Sequence, residues 1–232
     1  MNNVLLQIKI KERLNKLASM DYDNIECWQI AEAFNKAQLE WVRRQFNGVN
    51  AMKEGDESSS MKMDDLQILL EEFPINVTNH DLYADTANLP SDYLHYKRIS
   101  CNAQTDCCPA RALVVSLASV ADVDNLLIDV LRNPSAEWGE TFCTLQGGKY
   151  RIYTNGKFLV KDTILTYYRK PRTVSFTGCV DIETGNPSSN VECEFKDDIA
   201  EILVDDTVAI LAGDIESTNQ YTISKTNSNS NT

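Results

Sequence analysis

Seven cysteines, two histidines and an excess of carboxylates are the residues of this chain that could do chemistry. Cys101, Cys107 and Cys108 lie close together, with His95 just upstream. A four-ligand zinc site uses paired C-x2-C or C-x2-C/H-x3-H spacings. Neither occurs here, so no metal is expected. An odd number of thiols, behind an N-terminus (MNNVLLQIKIKERL) that lacks a secretory leader, points to reduced cysteines. His80 and His95 sit in polar or strand-like contexts and read as surface or structural residues rather than general bases. Thiol catalysis would need Cys143, or one of the clustered cysteines, beside His95. The pairs Asp197/Asp198 and Asp205/Asp206 fall about two helical turns apart. They read as a helix start and a solvated face rather than a metal or glycosidase pair. No phosphate-binding glycine loop, zinc-protease motif or nucleophile elbow is present. The expectation is a protein with no catalytic, cofactor-binding or metal-binding residues, whose function lies in its surfaces.

Composition agrees with a folded chain. The 232 residues are 43% hydrophobic and 24% charged, with a formal net charge of -12. This balance is unsuited to broad nucleic-acid binding, which needs clustered Lys and Arg. No apolar run approaches the roughly 18 residues of a membrane span.

The elements that would position these residues follow from periodicity. In residues 3–18, Val4, Ile8 and Lys11 align, as do Leu6, Ile10, Leu14 and Leu17, and these spacings of three and four make one apolar stripe at helical period. Residues 25–47 predict the strongest helix, with Ile30, Phe34, Ala37, Trp41 and Val42 inward, Asp23 or Asn24 as cap and Gly48 as stop. The polar run at 53–60 predicts a loop, and residues 62–72 a third helix closed by Pro74. Strand-like alternation follows at 92–102 and 112–118. Residues 120–131 predict a short helix with Val123, Leu127, Val130 and Leu131 available for burial. Gly147-Gly148 and Asn155-Gly156 are hairpin signals, so 140–169 predicts a three-stranded antiparallel meander, with a fourth strand from 92–102. A last helix is expected at 197–212, then a polar tail.

Charge is unevenly distributed. Lys149, Arg151, Lys157, Lys161, Arg169, Lys170 and Arg172 gather in the hairpin region, whereas 181–216 is nearly all acidic. Opposite fields on neighbouring elements suit head-to-tail packing of identical subunits, or pairing within the chain. The interface residues singled out are Lys149, Arg151, Lys157, Arg169 and Arg172 on the basic side. Asp197, Asp198, Asp205 and Asp206 are those on the acidic side.

The second half also carries a resemblance. Trp138 leads into Thr141-Phe142-Cys143, then KYRIYTNGKF at 149–158 and Thr166-Tyr167-Tyr168-Arg169-Lys170-Pro171. Glu192-Cys193-Glu194-Phe195 and the helix from Asp197 complete the order. Over roughly residues 90–232 this resembles the head–tail connector (adaptor) and tail-ring proteins of short-tailed phages, closest to structural ring proteins of crAss-like phages. The resemblance implies a helical bundle with a β-rich insertion, a ring that is typically twelvefold beneath the portal, and a C-terminal tail lying against the portal or a neighbour. It implies as partners the chain itself, the portal, and other tail ring or tube proteins, with DNA passing through without specific binding and no membrane contact. Localisation in the virion neck or tail, after assembly in the host cytoplasm, follows from the same resemblance.

The fold expected is α+β. N-terminal helices (1–89) and a C-terminal helix (196–216) form a bundle, a β-rich antiparallel insertion spans 90–195, and a flexible tail covers 217–232. The function expected is a structural subunit of the portal–tail connector ring, lining the DNA exit channel. The alternatives are a more distal tail ring or stopper, a thiol-dependent enzyme, or a host binding module with an acidic surface.

Overall fold

The computed structural model describes residues 1–15, 25–47, 64–105, 108–180, 185–214 and 222–226. It divides into two compact units, Leu69–Lys170 and the remainder of the chain.

A single eight-stranded sheet dominates, and this overturns the expected helical bundle with an antiparallel insertion. The strands are β1 (Leu70–Pro74), β2 (Val77–Asn79), β3 (Tyr83–Thr86), β4 (Tyr93–Gln104), β5 (Arg111–Leu117), β6 (Glu140–Gln146), β7 (Lys149–Tyr153) and β8 (Leu159–Arg169), in the spatial order β1-β8-β4-β5-β6-β7-β3-β2. The two edge strands are consecutive in sequence, so the sheet curls into a half-barrel that draws its edges together. Hydrogen bonds tie the seam. Ile75 N donates to Thr163 O at 3.0 Å, and the Asn79 side chain bonds Val160 twice, donating to its carbonyl at 3.1 Å and accepting from its N–H at 2.8 Å. An amide side chain thus takes the place of a ladder pair and blunts an edge that would otherwise template pairing.

Alternation along the strands sends one set of side chains into the half-barrel. Ile99, Cys101, Ala103, Ile152, Leu165 and Tyr167 are among the buried cluster there. Its larger members each contribute on the order of 2 kcal/mol by leaving water.

Three local expectations fail for identifiable reasons. The predicted helix over 62–72 gives way. Residues 64–66 are helical, Gln67–Leu69 form a 3-10 turn, and Leu70 opens β1, which pairs antiparallel with β8 (Leu70 opposite Tyr168, Phe73 opposite Leu165). Pro74 ends an edge strand, a position where its missing N–H costs no ladder bond. The meander also fails. Gly147-Gly148 does turn β6 into β7, with φ of 57° and 74°. Asn155-Gly156 makes an equally left-handed turn, φ 50° and 71°, but it releases β8 to pair with β4 and β1 instead of β7. Thr154 and Asn155 anchor that turn by donating to Leu82 O. Finally, β5 and β6 are parallel, so the sheet is mixed.

The other unit holds α1 (Asn3–Asn15), α2 (Cys27–Asn47) and α4 (Asp197–Asp214), with α1 and α2 each packed on α4. These helices form where the apolar periodicity predicts them. Leu6, Ile10 and Leu14 are at most 2% exposed. Trp41 meets Phe195 edge-on, with centroids 5.2 Å apart. The expected caps Asp23 and Asn24, the stop Gly48 and the loop 53–60 lie outside the described residues. Of the expected tail (217–232), only residues 222–226 are among those described. Residues 222–226 are helical, Ser224 is buried, and Lys225 Nζ lies 3.8 Å from Asp206.

Candidate functional site

Chemistry-bearing side chains are dispersed rather than assembled. Cys101 and Cys143 point into the half-barrel, and burial pushes both thiols up to about 12. A thiol held that high is not a nucleophile at neutral pH. His95 is exposed on β4, whereas both sulfurs are buried. Cys108 is exposed and Cys107 lies outside the described residues. Cys193 is buried beside Gln38 in the helical unit. The expectation of fully reduced thiols is corrected by a disulfide. Cys27 at the start of α2 is bonded to Cys179, with Cα atoms 5.8 Å apart. Among the described residues, no three His, Cys, Asp or Glu side chains gather as a metal site would require. No helix among them is long and apolar enough to cross a membrane.

One polar cluster does form inside the half-barrel. The Tyr93 and Tyr150 hydroxyls are 2.7 Å apart, the Tyr93 and Tyr167 rings stack at 5.7 Å, and Tyr167 donates to Asp92 at 3.0 Å. Burial raises the phenols of Tyr93, Tyr96, Tyr150 and Tyr167. They stay neutral; the Tyr93 and Tyr150 hydroxyls satisfy each other, Tyr167 is satisfied by Asp92 and Tyr96 by Cys143, as buried polar groups must be.

The charged residues singled out from the sequence mostly meet partners within their own unit. Arg151 pairs with Asp85 at 2.8 Å and lies 4.0 Å over the Tyr83 ring. Lys157 donates to Asn133 and to the carbonyl of Pro134. Arg169 is 3.6 Å from Glu71, and Arg172 is 3.5 Å from Glu194. Asp197 binds the N-terminal amine at 2.6 Å, Asp205 binds Arg13 at 2.6 Å, and Asp206 is paired with Arg44. Lys149 at the start of β7 and Asp198 in the first turn of α4 are exposed. The basic hairpin and the acidic helix belong to different units.

The feature that stands out was missed in the sequence. A parallel pair cannot be joined by a tight hairpin and needs a crossover. The crossover from β5 to β6 holds a 3-10 turn (Val120–Asp122) and one short helix, α3 (Val123–Ile128). Helix ends there, because Asp129 takes an extended backbone and its carboxylate accepts from Leu131 N. Val130 and Leu131, predicted to be buried on a longer helix, are instead each 85% exposed. Ile128 and Trp138 are each 79% exposed. Val130, Leu131 and Trp138 share the wall of a cleft of about 920 Å³ with Pro109, Ala136 and Arg111. The signal for this was present in Asp129 and in Asn133-Pro134, which stop a helix before its second apolar turn closes.

No family model matches the chain, and no curated protein matches it.

Proposed function

We propose that this chain is a non-enzymatic structural subunit of a virion, joining the portal to the tail of a short-tailed phage as part of a ring that lines the DNA exit. The observation that carries an assembly role is the crossover crest. Four large apolar side chains, Ile128, Val130, Leu131 and Trp138, stand 79–85% exposed on one connection. They amount to roughly 700 Å² of surface, above the few hundred Å² that monomers commonly leave open. Exposed apolar surface of that extent is a mark of interaction sites, and we read this one as a subunit contact. The deep burial of Cys101 and Cys143, with His95 outside, gives the thiol-enzyme alternative no support. The connector identity itself rests on the run Thr166–Pro171, the step Glu192–Phe195 and the acidic helix that follows.

The test is co-sedimentation of the full chain with the portal protein encoded by the same genome. Stoichiometric co-migration with portal rings is expected. A chain that ignores the portal but binds a tail protein would move it to a more distal ring, and one that binds neither would overturn the virion role.

A further inference from the structure

We infer that the Cys27–Cys179 bond is a reversible redox latch, opened by a small thiol at the Cys27 sulfur, that pins the tip of the connection between β8 and α4 to the start of α2. The latch stands on contacts within the helical unit and is independent of the connector role. Among its described residues the connection, 171–196, holds no helix and no strand. Its base is fastened by side chains of both N-terminal helices. Asn35 of α2 accepts from Val174 N at 2.7 Å and donates to Val174 O at 3.0 Å. Asn3 of α1 donates to Ser175 O and to Val191 O, each at 3.0 Å, and Ser175 and Val191 exchange backbone bonds at the same place.

Beyond that base the backbone bonding turns inward. Cys179 N donates to Phe176 O at 3.2 Å and Ser188 N to Cys179 O at 2.7 Å, both within the connection. Internal bonds of about 1 kcal/mol each do not outweigh an ordering cost of about 1–2 kcal/mol per residue. The disulfide supplies a covalent tie, across 152 residues of sequence, to the first residue of α2.

The two sulfurs differ in access. Cys179 is 5% exposed, whereas Cys27 is partly exposed. An attacking small thiolate therefore reaches the Cys27 sulfur, forms a mixed disulfide there and expels the Cys179 thiolate, which takes a proton. A second small thiol attacks the small-molecule sulfur of that adduct and frees the Cys27 thiol. Two small thiols leave as one small disulfide, and the protein gains two electrons and two protons. A small disulfide such as oxidised glutathione runs the same steps backwards and closes the latch. The third cysteine of the unit, Cys193, does not compete. It is buried beside Gln38, about three turns further along α2 than Cys27, and burial raises its thiol.

The test places the full oxidised chain in reduced glutathione, traps thiols by alkylation at intervals, and reads adducts by mass spectrometry and amide protection by hydrogen exchange. Glutathione is expected on Cys27, with Cys179 alkylated. The Gly178, Cys179 and Ser188 amides should then exchange at least about tenfold faster, with α1 and α2 still protected, and oxidised glutathione should reverse the change. Cys179→Ser should retain glutathione on Cys27 and show the fast exchange in both buffers. Glutathione found on Cys179 instead, a bond that resists reduced glutathione while the chain is folded, or tip amides that exchange no faster after reduction would each overturn the latch. So would a loss of protection in α1 and α2 together with the tip, which would make the bond a staple of the whole unit, or a chain that never closes the bond in oxidised glutathione.

Discussion

The two units of this chain solve burial in opposite ways. Residues 69–170 carry ten Lys and Arg against twelve Asp and Glu, which leaves twelve against twenty-two for the remainder. The sheet unit keeps ions at its surface and fills its interior with aliphatic side chains and neutral phenols. The helical unit brings ions inward. Asp205 and Asp206 are 8% and 3% exposed on α4, answered by Arg13 from α1 and Arg44 from α2. Ion pairs between helices fix register and partner more than they add stability. An apolar core adds stability and leaves its outer surface free for contacts. The difference assigns the roles, with an ion-matched helical unit and a stable sheet that can carry an exposed apolar crossover without unfolding.

The sharpest way to break this comparison is to empty the sheet core. Leu165→Ala should cost about 3–4 kcal/mol. Hydrogen exchange on the full chain should show lost protection in β4 and β8 with α2 unchanged; equal loss in both units would mean that they do not fold separately. Arg44→Met, which removes the nearer cation of the ion pairs at buried Asp206, should cost about 3 kcal/mol and register in the helical unit alone. Reducing the Cys27–Cys179 bond should destabilise the same unit by about 2–4 kcal/mol in denaturant titrations, with no effect on the sheet. Tyr150→Phe, which removes one partner of the Tyr93 hydroxyl, should cost about 1 kcal/mol.

The smallest effect is a pH dependence confined to the helical unit. Burial alone would raise Glu201, but Lys9 and Arg13 together hold it below the ordinary glutamate range. Its contribution is therefore present above that range and lost as pH falls through the depressed folded value. Asp205 is the reverse. Burial raises it against the pull of Arg13, so its contribution is fullest at low pH and lost as pH rises through the folded value. Glu201→Gln should flatten the acid loss of stability, measured by urea melts from neutral to about pH 4. A steeper acid loss in that variant would contradict the sign.

How much of this was legible in the sequence follows from the range of the forces involved. Helices α1, α2 and α4 were readable, because a stripe such as Leu6, Ile10, Leu14 states its own period. Strand pairing was not. Asn155-Gly156 encodes a left-handed turn, but nothing local says that β8 will leave β7 for β4. Residues 62–72 satisfy a helical pattern, yet Leu70–Pro74 finds a better partner in β8, a tertiary choice that overrides local preference. The disulfide was hidden by its separation of 152 residues. The charged residues proposed as an interface were correctly seen as charged, but their partners within the chain, such as Asp85 for Arg151 and Arg13 for Asp205, lie far away in sequence. The crest was mistaken for a buried helix side because apolar residues carry no mark of which surface covers them.

The central claim is that this chain works by assembling. The most direct measurement is the mass distribution of the purified full-length chain, alone and mixed with the portal protein that the proposed connector role requires, by sedimentation velocity. A discrete closed multiple of the chain, or a portal-bound multiple, is the predicted result. A monomer at every concentration, indifferent to the portal, would contradict it.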